Sequence, residues 1–204
     1  MAAPAYPVTV IGLTGNIACG KSTVAGMLGD LGATVVAADA VVRVLQEPGT
    51  PVWQQIVQEF GVDIVRPDGH LDRAKLGAEV FADPRALARL EAIVHPAVIS
   101  KVDRILEGLA GGVAVVEAVK LVEAGMHRTY DALWVVVCSE ARQIERLRGR
   151  GLTEAEARAR LAAQPPLAPR LALADVVVDN DGSLADTRRQ VQAAFHGLAG
   201  SIAG

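Results

Sequence analysis

The chain has 204 residues, 51% of them hydrophobic but only 3% aromatic, and a net charge of −3. That is material for one sizeable domain with an elaboration, or two small ones, and the richness in Ala, Val and Leu suits an α/β protein with buried parallel strands. The charge balance excludes a global basic field for nucleic acid, two cysteines are too few for a disulfide framework, and no apolar run is long enough to span a bilayer.

Residues 1–7 lack a basic start and an apolar stretch, so they do not read as a signal peptide. With the cysteine usage, this predicts a soluble cytoplasmic protein in a reducing interior. Strand one is Val8–Leu13, short and β-branched. Next comes Gly15-Asn16-Ile17-Ala18-Cys19-Gly20-Lys21-Ser22-Thr23, the pattern G-x-x-x-x-G-K-S. Helix one follows over about Lys21–Leu31, ending at Gly32. A strand before and a helix after are the context in which this motif is a phosphate-binding loop.

The residue types fit that chemistry. Gly15 and Gly20 let the backbone curl so that successive N–H groups face phosphate oxygens. The helix start adds free N–H groups and its positive dipole end. Lys21 supplies a mobile charge to the β- and γ-phosphates, and the Ser22 hydroxyl can ligate Mg²⁺. The loop therefore predicts binding of a nucleoside triphosphate. It does not say what is done with it.

Strand two is Ala33–Ala37, followed by Asp39 and a helix over Ala40–Gln46. Thr50-Pro51 reads as N-cap and first turn of a helix to Phe60. Arg66-Pro67-Asp68-Gly69 is a turn, Asp72 caps Arg73–Phe81, and Asp83-Pro84 opens Pro84–Val94. His95-Pro96 predicts a brief break before the amphipathic stretch Ala97–Leu109. Residues 40–110 are thus nearly all helix. Strand three is Val113–Val116, running into Glu117, and strand four is Leu133–Val137. Ser139 caps a helix to about Arg150, and Thr153-x-x-Glu156 is a capping box for the next. Gln164-Pro165-Pro166 stops that helix. Asp175–Val178 is strand five, and Ser183 caps the last helix.

Strands alternating with helices imply a five-stranded parallel sheet with right-handed crossovers, and ligands beyond the carboxyl ends of its strands. The phosphate loop, Asp39 and the segment Glu117–Glu123 all follow strands. Asp39 could accept a proton from a substrate hydroxyl, hold Mg²⁺ through water, or cap the next helix. Glu117 stands where phosphate-loop enzymes place an acidic Mg²⁺ partner, or is a solvated strand end. Glu123 is a further candidate. Arg142, Arg146 and Arg150 share one helix face, either to clamp a transferring phosphoryl group or to pair with Glu140, Glu145 and Glu154. Arg158, Arg160 and Arg170 extend the basic stretch, and Arg150–Ala174 reads as a mobile lid. His95 beside Pro96 is a ligand or a structural hydrogen-bonder.

Neither a D-x-x-G after strand three nor an N-K-x-D occurs, so a GTPase switch does not fit. A small kinase does. The motifs then resemble those of the dephospho-CoA kinases, from about Val8 to Leu198. They include Gly12-Leu13-Thr14-Gly15-x-Ile17-x-x-Gly20-Lys21-Ser22-Thr23, Asp39 in a D-A-D position, Phe60-Gly61 and Asp68-Gly69-x-Leu71-x-Arg73-x-x-Leu76. They continue through Val80-Phe81, Leu90-Glu91-x-x-Val94-His95-Pro96, Gln143-x-x-Arg146-Leu147, Arg150, Gln164 and Ala174-Asp175-x-Val177-x-x-Asn180-x-Gly182.

The resemblance implies a P-loop kinase fold whose nucleotide-binding core is 1–39, 111–145 and 175–204. Residues 40–110 would be a helical acceptor-binding domain and 146–174 the lid. It implies phosphorylation of the ribose 3′-hydroxyl of dephospho-CoA by ATP with Mg²⁺, giving coenzyme A and ADP. It gives Asp39 the role of general base. Residues Gly15–Thr23 with Arg146 and Asn180 fall on the ATP side, and Arg150 with the lid. Arg73, Phe81, His95, Lys120 and Glu123 fall on the acceptor side, and Ser22 and Glu117 on Mg²⁺. The partners expected are these small molecules, with no nucleic acid or membrane, in a monomer or weak homo-oligomer.

The sequence departs from the family pattern at four places. The first Asp of D-A-D is Ala37. The P-L-L-x-E segment reads Val119-Lys120-Leu121-Val122-Glu123. The lid is Pro-rich over Gln164–Pro169, and Cys19 stands inside the loop, where a helix N-terminus can lower a thiol's pKa. Two other readings remain from the residues: a kinase of nucleotides or nucleosides, and a nucleotide-dependent regulatory protein without transfer.

Overall fold

The central strand, β1 (Thr9–Thr14), pairs in parallel with β3 (Val113–Glu117) on one side and β4 (Ala132–Val137) on the other. β5 (Val176–Asp179) pairs in parallel with β4, and β2 (Thr34–Ala37) completes a sheet ordered β2-β3-β1-β4-β5. This is a computed structural model, and it describes residues 6–202. Most of the amino-terminal stretch read as non-signal lies outside the described residues.

β1 and β4 are buried along nearly their whole length, as strands covered on both faces must be. Ile11, Leu13, Val115, Trp134, Val136 and Val178 pack with Val24 and Leu28 of α1 (Lys21–Asp30) and Val191 of α9 (Leu184–Ile202). Leucine and valine side chains of this kind contribute roughly 1.5–3 kcal/mol each when fully buried. The sheet is pinned at its amino end by two carboxylates. Asp131 accepts the N–H of Val10 at 2.7 Å, and Asp175 accepts that of Leu133 at 2.7 Å. Its carboxyl end carries the loops.

The chain divides into two compact units, Met1–Val36 with Leu109–Gly204, and Ala37–Gly108. Asp39 therefore belongs to the second, helical unit. There α2 (Ala38–Leu45), α3 (Pro51–Phe60) and α4 (Arg73–Ala82) each pack on α5 (Pro84–Glu107). Their starts follow local chemistry. Thr50 accepts from Trp53 N, Asp72 from Ala74 N and Lys75 N, and Asp83 from Arg85 N.

Two expectations are corrected. The chain does not break at His95-Pro96, because α5 runs through with Pro96 inside it. Proline removes one backbone bond and crowds the carbonyl four residues back, but Val94, Val98, Val102 and Leu106 are buried on both sides of it. Burial of that stripe outweighs the local cost. Asp39 is not the cap of the helix after β2. That helix starts two residues earlier than expected, at Ala38 with Ala37 at the N-cap, and Asp39 lies exposed in its first turn.

In the first unit, α6 (Glu140–Arg148) is capped by Ser139, and α7 (Glu154–Ala162) carries the complete Thr153–Glu156 capping box. The short α8 (Ala168–Ala172) follows the proline segment. Ile17 and Ala18 of the phosphate loop pack in one cluster with Ile144 and Leu147 of α6 and Ala157 of α7, so α7, the first helix of the stretch read as a lid, is in contact with the loop.

Candidate active site

The loop between β1 and α1 has the backbone that its glycines require. Gly15 has φ 151° and Gly20 φ 99°. A Cβ on Gly15 would meet Val136 O at 2.4 Å, and one on Gly20 would meet Asn180 Nδ2 at 1.9 Å. Ala18, at φ 60°, is the one non-glycine residue with positive φ among the described residues. That costs about 1 kcal/mol or more.

Two side chains hold the second half of the loop from beneath. Arg146 Nη1 donates to Ala18 O and Cys19 O, both at 3.0 Å, and its Nη2 donates to Asn180 O at 2.9 Å. Asn180 Nδ2 donates to Cys19 O at 2.8 Å, and Asn180 Oδ1 accepts from Thr187 at 2.9 Å. The buried Asn180 thus links α9 to the loop. Arg146 was expected among arginines that clamp phosphate; here its guanidinium is committed to loop carbonyls. Arg142 and Arg158 instead pair with glutamates on the surface, Arg142 with Glu145 and Arg158 with Glu140 and Glu154. Arg150 is exposed just past the end of α6.

Lys21 Nζ donates to Gly15 O at 2.9 Å and to Asn16 O at 3.3 Å. Ser22 and Thr23 are exposed on the first turn of α1. Ser22 Oγ donates to Glu117 Oε1 at 3.0 Å, which brings together the hydroxyl and the carboxylate that sequence reasoning assigned to Mg²⁺. Both are hard oxygen donors, and Mg²⁺ needs only one or two from protein when phosphates and water complete its shell. No cluster of three His, Cys, Asp or Glu residues suited to a metal occurs among the described residues.

Burial raises the pKa of the Cys19 thiol and outweighs the lowering effects of Lys21, the loop's N–H groups and Arg146. The helix start therefore does not activate it. Burial likewise pushes Cys138, at the end of β4, up to about 11 against the pull of Arg146.

The residues placed on the acceptor side divide between the two units. In the helical unit, Arg73 opens α4 and lines a cleft of about 440 Å³ with Arg43, Arg66 and His70. Phe81, near the end of the same helix, is 80% exposed, and His95 is half-buried in the middle of α5. In the core unit, Lys120 and Glu123 lie on the turns after β3. Glu123 already has a partner. Its Oε1 accepts from Arg170 Nε at 3.0 Å and Nη2 at 2.6 Å.

Three contacts were not foreseen. Arg170 is only 1% exposed and also donates from Nη1 to Asn16 Oδ1 at 2.8 Å. Gln164 Oε1 accepts the loop N–H of Ile17 at 3.3 Å. Thr14 Oγ1 donates to Val119 O at 3.2 Å, tying the end of β1 to the segment after β3. Gln164 was visible as a motif residue. Nothing local marks Arg170 as buried. A cleft of about 430 Å³ lies between Asn16 and residues Glu140, Gln143, Arg158 and Leu161.

Residues 9–186 match a family model described as dephospho-CoA kinase. A dephospho-CoA kinase of Symbiobacterium thermophilum is 51% identical over 199 residues, covering 96% of this chain and 83% of that protein. Among solved structures, the protein TT1252 of Thermus thermophilus superposes with a TM-score of 0.82 at 33% identity, covering 95% of this chain and 99% of the other. A dephospho-CoA kinase from Campylobacter jejuni gives a TM-score of 0.67 at 26% identity, with coverage of 96% and 99%.

Proposed function

We infer the division of labour in this site from one premise: the chain belongs to the dephospho-CoA kinase family. It is an ATP-dependent kinase, and its reaction phosphorylates the ribose 3′-hydroxyl of dephospho-CoA, the final step of coenzyme A biosynthesis. The residue roles below are our proposal. The observation that carries them is the pre-shaped loop with Lys21 at its mouth and the Ser22–Glu117 pair beside it.

Phosphoryl transfer leaves little covalent work to the protein, so positioning and charge neutralisation dominate. N–H groups of the Gly15–Thr23 loop other than those of Ile17, Cys19 and Thr23, which donate to Gln164, Asn16 O and Gly20 O, cradle the triphosphate, and Lys21 turns from Gly15 O to the β- and γ-phosphates. Ser22 and Glu117 would hold Mg²⁺, which would supply neutralisation of charge on the phosphate oxygens. Arg146 and Asn180 act on ATP by keeping the cradle in shape. Arg150, exposed just past α6, is assigned to phosphate.

Asp39 serves as general base for the 3′-hydroxyl, from the first turn of α2. We assign Arg73, Phe81, His95 and Lys120 to the acceptor. Arg73 suits its diphosphate and Phe81 an apolar or aromatic part.

Mixing the protein with MgATP and dephospho-CoA should yield coenzyme A and ADP in equal amounts by mass spectrometry. AMP, cytidine and uridine should remain unphosphorylated. ATP binding with no phosphorylated acceptor from any of these would defeat the kinase reading.

A further inference from the structure

A buried guanidinium is costly unless its charge is matched and its donors are satisfied. Arg170 is buried, and it is carried by a helix of five residues that opens at Leu167 with no side-chain cap. So short a helix has little stability of its own. What holds it is the side chain itself, through two hydrogen bonds to Glu123 after β3 and one to Asn16 in the phosphate loop. Six residues earlier, Gln164 takes the N–H of the next loop residue, Ile17. The segment from Gln164 to Arg170 therefore grips the first half of the loop, while Arg146 and Asn180 grip the second.

An ion pair of this kind adds little net stability compared with apolar residues of the same size, but it admits few alternative arrangements. Its geometry is specific here. Nε and Nη2 converge on one carboxylate oxygen, and that fixes the direction in which Nη1 presents to Asn16 Oδ1. A lysine could match the charge but could not read both partners at once.

We propose that Arg170 and Glu123 are positioning residues for phosphoryl transfer. Their pair docks the segment after α7 and, through Asn16 Oδ1 and the Ile17 N–H held by Gln164, fixes the first half of the phosphate loop. On this reading Glu123 serves Arg170 and does not contact the acceptor. The proposal rests on the loop's nucleotide role and is independent of which acceptor is used.

The test is a cycle of Arg170→Met, Glu123→Gln and the double variant, read by calorimetric titration with MgATP and by steady-state kinetics toward both substrates. Each single variant should weaken ATP binding or lower kcat by roughly 10-fold to 10²-fold, the range expected when a loop is misplaced by about an ångström. The KM for dephospho-CoA should stay as in wild type. The double variant should be no worse than Arg170→Met alone, since both remove one device. The melting temperature of Arg170→Met should not fall in proportion. If that variant does not fold, Arg170→Lys carries the same test, with loss of the Asn16 contact expected to cost activity.

The proposal is overturned if Glu123→Gln raises the KM for dephospho-CoA while ATP parameters hold. It is overturned equally if the variants lower only the melting temperature. A wild-type protein that phosphorylates no acceptor, yet loses ATP affinity in these variants as described, would sink the acceptor assignment and leave this inference standing.

Discussion

Arg146 and Asn180 donate to the same oxygen. Cys19 O accepts from Arg146 Nη1 at 3.0 Å and from Asn180 Nδ2 at 2.8 Å, and Arg146 Nη2 closes the triangle on Asn180 O at 2.9 Å. Arg146→Ala strips donors from two loop carbonyls and should cost both ATP affinity and melting temperature. Removing one partner from a buried hydrogen bond costs about 1–3 kcal/mol, so affinity should fall roughly 10-fold or more. Arg146→Lys should restore little, because an ammonium cannot span the three carbonyls as a planar fork does. Calorimetry with ATP and thermal melts of both variants check this.

Glu117→Gln keeps a hydrogen-bond acceptor for Ser22 but loses the charge. The Mg²⁺ concentration giving half-maximal activity should rise several-fold, in keeping with the loss of one hard anionic ligand. Ser22→Ala should act in the same direction. A Mg²⁺ titration of initial rates measures both, and an unchanged midpoint in each variant would remove these residues from the metal.

Asp39→Asn and Lys21→Ala should fail in different ways. The first acts on the acceptor hydroxyl, so kcat should drop while ATP affinity stays near wild type. The second loses an electrostatic contact made in the transition state and should lower kcat by roughly 10²-fold or more. Loss of ATP binding in Asp39→Asn would show that this carboxylate is not the base.

The cysteines make stability depend on alkaline pH. The Cys138 pKa is raised in the folded state to about 11 by burial, so the folded protein holds this thiol's proton where the unfolded chain has begun to lose it. The associated stability is complete below the unfolded value near 9 and is lost as pH climbs through about 11. Cys138→Ala should flatten the fall in melting temperature between about pH 9 and 11. Cys19→Ser should leave turnover intact, since the thiol there is a buried filler.

Pro96→Ala returns an N–H to the interior of α5, where Pro96 cannot donate to the carbonyl four residues back. The helix gain of about 3 kcal/mol is partly offset by a freer unfolded chain, leaving roughly 1–2 kcal/mol of added stability. Denaturant titration would show it as a higher midpoint with the same slope.

Much of the fold was legible because its signals are local. Thr50, Asp72, Asp83, Ser139 and the Thr153–Glu156 box all cap the helices that they precede. The loop motif announced the strand before it and the helix after it. What stayed hidden depends on residues far apart in the chain. Arg146 reaches carbonyls 127 and 128 residues away, and Arg170 reaches Asn16 across 154. In the sequence both look like further members of a basic helical stretch. The uninterrupted α5 was concealed for a related reason, because the stripe that carries it past Pro96 is stabilised by three other helices.

The carboxylates of Asp131 and Asp175 sit at the amino ends of β1 and β4, on the rim opposite the phosphate loop. In an all-parallel arrangement the two rims never exchange duties. Damage at the aspartate rim should surface as sensitivity to heat, with chemistry intact in whatever fraction survives. Damage to Lys21 or Ser22 on the glycine rim, where the side chains are not part of the core, should surface as slow turnover in a protein that still purifies and melts normally. A random library sorted first by survival and then by turnover would therefore separate along the length of the strands, with no knowledge of the reaction required.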